Sequence, residues 1–218
     1  MTNYVTNEGR SLTNNSLQAP SINSYGAHIV IDFWTQLALD GHVFQLRAGT
    51  VTTPLVGDAP LTDTNAEFCV DGLTSTDVIL VGELGIAVRL GTGTLHEYAL
   101  KSRQGSNSSS GTAFTLLPLL VSAKQGAAAA PVSVKTARVA AHATTVPAET
   151  ATTTLRHFEW SQPIAMGAYA GDIQWSPRTP AVLLGQHCLW GQIAATTTGP
   201  SYYAHLNIVD LQRSQLGI

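Results

Sequence analysis

The residue types that could support catalysis occur in this chain of 218 residues, but their spacing does not bring them together. A serine hydrolase needs a nucleophile on a sharp turn, with His and Asp side chains converging on it. The sequence has no G-x-S-x-G motif, and its serines concentrate at 106–110, in a Ser- and Gly-rich segment that indicates a mobile loop. Because a mobile segment does not hold a nucleophile in a reactive geometry, this class of enzyme is not expected.

Three pairs of potential zinc ligands lie in segments predicted to be strands. Side chains two residues apart share one face of a strand, so His157 and Glu159 could bind the same ion. The adjacent pairs His96–Glu97 and His187–Cys188 point to opposite faces instead. One pair of ligands does not complete a zinc site, and we predict no metal.

Acidic residues and glycines also lack the pattern of a known active site. A glycosidase needs two carboxylates facing each other across a cleft, and Glu97 and Glu159 are the best candidates for a pair that converges only in the fold. Most Asp residues lie near Gly or Pro, where turn formation explains them. The segment RLGTGTLHEY lacks the third glycine and the helix of a dinucleotide-binding loop. We therefore predict no catalytic residues and no cofactor, and the protein is not expected to be an enzyme.

The composition favours a surface that packs against neighbours. Hydrophobic residues make up 44% of the chain, but charged residues only 11%, with a formal net charge of -3. Thr, Ser, Asn and Gln supply the remaining polarity, and such short side chains lose little entropy and hydration when a neighbour covers them. The 11 Lys and Arg residues form no basic run that could neutralise several phosphates, so sequence-independent nucleic-acid binding is disfavoured. Sequence-specific nucleic-acid binding is not expected either.

No segment has the composition of a membrane anchor or of a disulfide-rich scaffold. We predict neither a secretory signal nor a membrane span, because the amino terminus lacks a basic head with an apolar core, and no apolar run is long enough. The only cysteines, Cys69 and Cys188, lie within apolar runs. They are predicted to be reduced core residues, with one disulfide between them as the alternative.

Short runs of β-branched and aromatic residues, punctuated by Gly, Pro, Asp and Asn, dominate the chain from His28 onward. Roughly a dozen such runs follow one another at the spacing of an all-β sandwich or barrel. The first two, within 28–49, predict a hairpin about Asp40–Gly41, in which Trp34 faces either the far side of the sheet or a neighbour. GELG, residues 82–85, predicts a turn between two further strands.

The organisation predicted from these runs is an extended arm followed by one domain. Residues 1–26 are rich in Asn, Ser and Thr and cannot bury enough apolar surface to fold alone. Residues 27–218 share one composition without a dividing linker, which predicts a single β-sandwich domain. The segment 103–112, RQGSNSSSGT, is predicted to be a flexible, exposed loop.

The residues expected to contact a partner come from the arm and from the aromatic side chains. Aromatics can either fill a sandwich core or anchor an interface. The predicted partner contacts are Asn14, Leu17, Ile22, Trp34, Trp175, Tyr202 and Tyr203.

A low-charge, strand-dominated domain with an arm and without an active site is typical of a viral coat protein. In size and pattern the chain resembles the single jelly-roll major capsid proteins of tailless icosahedral viruses with an internal membrane, the sphaerolipovirus type. The resemblance covers roughly His28 to Leu211 and implies an all-β, jelly-roll-like antiparallel sandwich. It also implies a virion protein, made in the host cytoplasm, that assembles with copies of itself and with a second capsid protein.

A binding module of the same fold class is the alternative. Lectin-like sandwiches, phage head-decoration proteins and receptor-binding proteins also use jelly rolls, so the fold does not decide between them. In such a module the loop at 103–112 would be the candidate ligand loop.

Overall fold

The computed structural model describes residues 33–59, 64–90, 95–119, 133, 135–146, 153–161, 171–195 and 199–216. In these residues thirteen strands form two antiparallel sheets, and two short helices accompany them. The elements are α1 (Phe33–Leu39), β1 (Val43–Ala48), β2 (Leu55–Val56), β3 (Asn65–Gly72), β4 (Asp77–Leu90), β5 (Leu95–Gln104), β6 (Thr112–Phe114), β7 (Leu117–Pro118), β8 (Thr136–Thr145), β9 (Thr153–Ser161), β10 (Gly171–Trp175), β11 (Ala181–Leu184), β12 (His187–Ala195), β13 (Ser201–Gln212) and α2 (Arg213–Leu216).

The two sheets pack face to face as a β-sandwich. The first sheet has the strand order β10-β4-β13-β1-β7, with β11 also paired to β4 and β2 to β13. The second sheet has the order β6-β8-β3-β12-β5-β9. The predicted all-β antiparallel sandwich is therefore confirmed, whereas the predicted arm, 1–26, lies outside the described residues.

The strand pairs are nested along the chain. β1 pairs with β13, β3 with β12, β4 with β10 and β11, and β5 with β9, so that each pair encloses the next. A double-sheet sandwich rolled up from such an antiparallel ribbon is a jelly roll. Strands β6, β7 and β8 come from the segment between β5 and β9, which widens both sheets beyond the eight positions of the roll.

The main core lies between the sheets, where alternate residues of each strand point inward. The buried inward-facing side chains include Phe44 and Leu46 of β1, Leu206 and Ile208 of β13, and Phe68 of β3. Alternation with period 2 is what the sequence pattern of a strand with one buried face predicts. Fully burying one such side chain stabilises the fold by ~1.5–3 kcal/mol.

The predicted hairpin at 28–49 is wrong for its first strand where the structure describes it. Phe33 and Trp34 begin helix α1, and only β1 is a strand. Gly41 has φ 80° and ends the helix, because His42 N donates to Leu37 O at 2.9 Å and Gly41 N donates to Ala38 O at 3.1 Å. This pair of hydrogen bonds is the Schellman motif.

Helix α1 covers one end of the outer face of the first sheet. Leu37 is buried there in a cluster with Val43, Val78, Leu80, Val209 and Leu211, and Trp34 packs against the same cluster. Because apolar side chains occupy both faces of the sheet at this end, a covering element is needed to exclude water from them.

The predicted turn at 82–85 is also wrong, since β4 runs through it without a break. The pairs Leu206↔Leu84 and Ile208↔Val81 leave two residues of β4, Gly82 and Glu83, opposite the single Asn207. This arrangement is a β-bulge. A Cβ atom on Gly82 would lie only 2.8 Å from Asn207 O, so the glycine permits the close approach of the β13 backbone at the bulge.

Candidate assembly surface

One lateral side of the sandwich carries the outermost strands of both sheets. In the described part of the chain β11 pairs only with β4, and β9 only with β5. An edge strand of a sheet can pair with another chain through its outward backbone groups. This side of the molecule is therefore the first candidate for a contact between subunits.

Apolar side chains are exposed along this edge. Val182 and Leu184 of β11 are 52% and 36% exposed, while the alternate residues Ala181 and Leu183 pack against the main core. Leu73, 48% exposed, lies in the neighbouring turn. The Asp77 carboxylate accepts from Leu73 N, and Asp77 O accepts from Gly185 N at 2.8 Å, so this turn meets the end of β11. We name Leu73, Val182 and Leu184 the lateral patch.

A groove of about 460 Å³ separates β11 from the second sheet. It is lined by Ser102, Arg103, Gln104, Thr153, Val182, Leu183, Leu184 and His187. This lining places polar and cationic groups directly beside the lateral patch. An occupant of the groove would therefore meet both apolar surface and hydrogen-bonding groups.

His187 is a neutral group at the base of this groove. Burial lowers the pKa of its imidazole below the ordinary value. Its Nδ1 lies 2.5 Å from Gly185 O, and a carbonyl only accepts, so Nδ1 carries the proton and Nε2 is an acceptor. Nε2 is buried and has no hydrogen-bond partner.

The outer face of the first sheet has two further depressions. One, of about 310 Å³, lies beside α1 and is lined by Trp34, Thr35, Ala38, Val43, Gly82, Glu83, Leu119, Ser176 and Asn207. The other, of about 150 Å³, is lined by Gly85, Ile86, Ala87, Asp172, Ile173, Gln174, Tyr203 and His205. Both open on the same face of the sheet.

The predicted partner contacts lie in different environments. Trp34 and Tyr203 are half-buried at the two depressions of this outer face, whereas Trp175 packs against the main core. Tyr202 has no exposed surface and fills the core, so its assignment as a partner contact is wrong. The residues predicted from the arm, Asn14, Leu17 and Ile22, lie outside the described residues.

Sequence reasoning did not single out the lateral patch. The run PAVLLG predicts the strand β11, and the structure confirms it. A short apolar run of this kind does not reveal whether one face or both faces are covered. Only the position of β11 at the edge of the sheet leaves Val182 and Leu184 exposed.

The loop at 103–112 is held in place at its centre, contrary to the predicted flexibility. Ser108 is buried, donates from Oγ to Asp71 Oδ2 at 2.5 Å and from its amide to Oδ1 at 3.0 Å. Asn107 Nδ2 donates to Gly72 O at 3.0 Å. These contacts fasten the loop to β3.

The two cysteines are free and buried, as predicted. Cys69 Sγ donates to Ser108 Oγ at 3.1 Å. A hydrogen bond with Cys69, followed by burial, raises the pKa of the Cys188 thiol. Since the thiolate is the reactive form, Cys188 is a poor nucleophile.

No three His, Cys, Asp or Glu side chains converge on a metal-sized site in the part of the chain that the structure describes. His157 is exposed on β9, and Glu97 lies opposite Glu159 in the β5–β9 register. Glu97 lines none of the three grooves described above.

Neither the protein-family models nor the curated proteins contain a match to this chain. Among the described residues, no helix is long and apolar enough to cross a membrane.

Proposed function

We propose that this chain is a viral structural protein, a capsid subunit whose jelly rolls pack side by side into an icosahedral shell. The observation that carries the proposal is the open lateral edge of the jelly roll, with its exposed apolar patch at Val182, Leu184 and Leu73. Closure of a shell would cover such edges and patches by symmetry.

The low charge of the chain supports this role. With 11% charged residues, contacts between copies desolvate few ionic groups. Individually weak contacts then suffice, because each is repeated around a closed assembly and strengthens the others. The proposed partners are further copies of this chain and a second capsid protein, and the proposed location is the virion, after synthesis in the host cytoplasm.

The test is the state of assembly of the purified protein. We expect capsomers or shells by light scattering after size exclusion and in negative-stain micrographs, either alone or with the proteins encoded by neighbouring genes. A monodisperse monomer under all of these conditions would contradict the proposal.

A head-decoration protein or a receptor-binding, lectin-like module is the second candidate. The groove favours it, because Ser102, Arg103 and Gln104 at the start of the 103–112 loop combine hydrogen-bonding groups with the apolar Val182 and Leu183. Sugar-binding sites need such mixed surfaces. A discrete trimer that binds a glycan on an array would favour the binding module over the coat protein. This binding should be lost on Arg103→Ala substitution.

A further inference from the structure

Lys135, Asp77 and Asp210 form a buried ionic cluster that the proposed assembly role does not use. Lys135 Nζ lies 2.8 Å from Asp77 Oδ1 and 2.8 Å from Asp210 Oδ1. The lysine side chain has no exposed surface, and the two carboxylate side chains are 4% and 7% exposed. One amine is thus enclosed between two carboxyl groups, away from solvent.

The cluster joins the two sheets of the sandwich. Lys135 immediately precedes β8 of the second sheet, whereas Asp77 begins β4 and Asp210 lies in β13 of the first sheet. A covalent bond within the cluster would therefore cross the core from sheet to sheet. No disulfide does this, because Cys69 and Cys188 are both free.

Asp77 is the more firmly held of the two carboxylates. Its Oδ2 accepts from Leu73 N at 2.6 Å and Thr74 N at 2.8 Å, and its Oδ1 accepts from Gln212 Nε2 at 2.8 Å. Burial raises the pKa of Asp77, but hydrogen bonds from Lys135, Thr74 and Gln212 outweigh it and hold that pKa well below its usual range. Asp77 is thus held as a carboxylate, and its contact with Lys135 Nζ at 2.8 Å places it where it can relay a proton that Nζ releases.

Asp210 has the arrangement of an electrophile. Its Oδ1 touches Lys135 Nζ, and its Oδ2 accepts a hydrogen bond from Ser133 Oγ at 2.6 Å. The hydroxyl can stabilise negative charge on Oδ2 when a nucleophile attacks Cγ. The amine, one carboxyl group and a donor for the developing oxyanion are therefore already in place.

We propose that Lys135 and Asp210 condense to form an intramolecular isopeptide bond. Lys135 transfers a proton to Asp210 within the cluster, which yields a neutral amine and a carboxylic acid. Nζ then attacks Cγ of Asp210, Ser133 Oγ stabilises the tetrahedral oxyanion, and Asp77 accepts the second proton from Nζ. Asp77 returns this proton to the departing hydroxyl, so that a C–N bond forms, a C–O bond breaks and one water molecule leaves. No oxidant or co-reactant is consumed.

The reaction removes two charges from a buried site, and this change favours the product. The neutral amine is the nucleophile, and the neutral acid is the form whose hydroxyl can leave as water. The product replaces one buried cation and one buried anion by an uncharged amide. The bond would lock the insertion between β5 and β9 to β13, and it does not depend on the proposed capsid role.

Intact-mass measurement of the full chain, denatured, reduced and alkylated, tests the proposal directly. We expect a mass lower than that of the sequence by one water molecule. After trypsin, cleavage at Lys135 should be blocked, and the peptide 125–138 should appear joined to the peptide 179–213. A chain with its full sequence mass would overturn the proposal, as would loss of water without the joined peptide, which would indicate a cyclised aspartate elsewhere.

Variants separate the roles of the three residues. Lys135→Arg should restore the full mass, whereas Asp210→Asn should lose ammonia in place of water. Asp77→Asn should abolish or slow the condensation although both reacting groups remain. Lys101→Arg, which replaces another buried lysine, is the matched control and should still lose water. Water loss that persists in Lys135→Arg would exclude this bond.

Discussion

Val182→Lys should weaken assembly without weakening the fold. Val182 is 52% exposed on the edge strand β11, so about half of its apolar surface remains to be covered by a neighbour. Since burying a whole Val or Leu side chain contributes about 1.5–3 kcal/mol, covering that half contributes about 1 kcal/mol per contact. Substitution by lysine removes this apolar contribution and places an ammonium group in the contact. The association free energy per contact should then weaken by at least ~1.4 kcal/mol, which is tenfold in the association constant.

The assay is light scattering across a concentration series, in which Val182→Lys should require at least ~10-fold more protein to assemble. Val51→Lys is the matched control, because Val51 is the same residue type at 55% exposure but lies in the loop between β1 and β2. Thermal unfolding of both variants should stay within ~0.5 kcal/mol of the wild type, as is usual for exposed positions. Equal assembly of Val182→Lys and wild type, or equal disruption by Val51→Lys, would refute the assignment of the lateral patch.

Three further substitutions test the fold. Leu37→Ala should cost ~2–5 kcal/mol in urea unfolding, because Leu37 is 1% exposed beneath α1; a loss below ~1 kcal/mol would mean that the helix does not seal this cluster. Burial raises the pKa of Glu67 well above its ordinary value, so the folded state favours the protonated form. The free energy of unfolding should therefore fall as the pH rises above the range in which a free Glu ionises. Glu67→Gln should remove this slope in urea titrations between about pH 4 and 8, and parallel profiles for the two proteins would contradict the argument. A Cβ at Gly191 would overlap the ring of Phe68, so Gly191→Ala should lower stability by ~1–3 kcal/mol in thermal unfolding. An unchanged stability would show that this ring does not restrict the site.

Local sequence signals located most strands but not every element. The run AEFCVDG predicts β3, and HCLWGQI predicts much of β12, because β-branched and aromatic residues between turn formers are a local signal. In contrast, the strand β10, GDIQW, was not predicted. It forms because β4 offers a partner edge, and the paired residues of β4 lie 83 to 91 positions earlier in the sequence.

The Asp40–Gly41 signal shows why the type of an element can be misjudged. A glycine with positive φ ends a helix as readily as it turns a hairpin. The helix forms here because Leu37 and Trp34 on it can cover an apolar sheet face that includes Val209 and Leu80. That face is assembled from distant strands, so the preceding residues do not reveal it.

The exposure of a side chain likewise depends on distant parts of the chain. Tyr202 and Tyr203 are adjacent and identical, yet only Tyr202 points between the sheets. The period of a strand determines that neighbours face opposite ways, but the strand's position in the sandwich decides which face is the core.

The sequence by itself determined the strand-rich class, the placement of Cys69 and Cys188 in apolar runs, and the expectation of a polar surface low in charge. These properties follow from local pattern and composition. Only the tertiary structure decided the nested pairing of the jelly roll, the exposure of Val182, and the meeting of Lys135 with Asp77 and Asp210. Such contacts join residues far apart in the chain, and they form only after long loops close and the sheet registers are set.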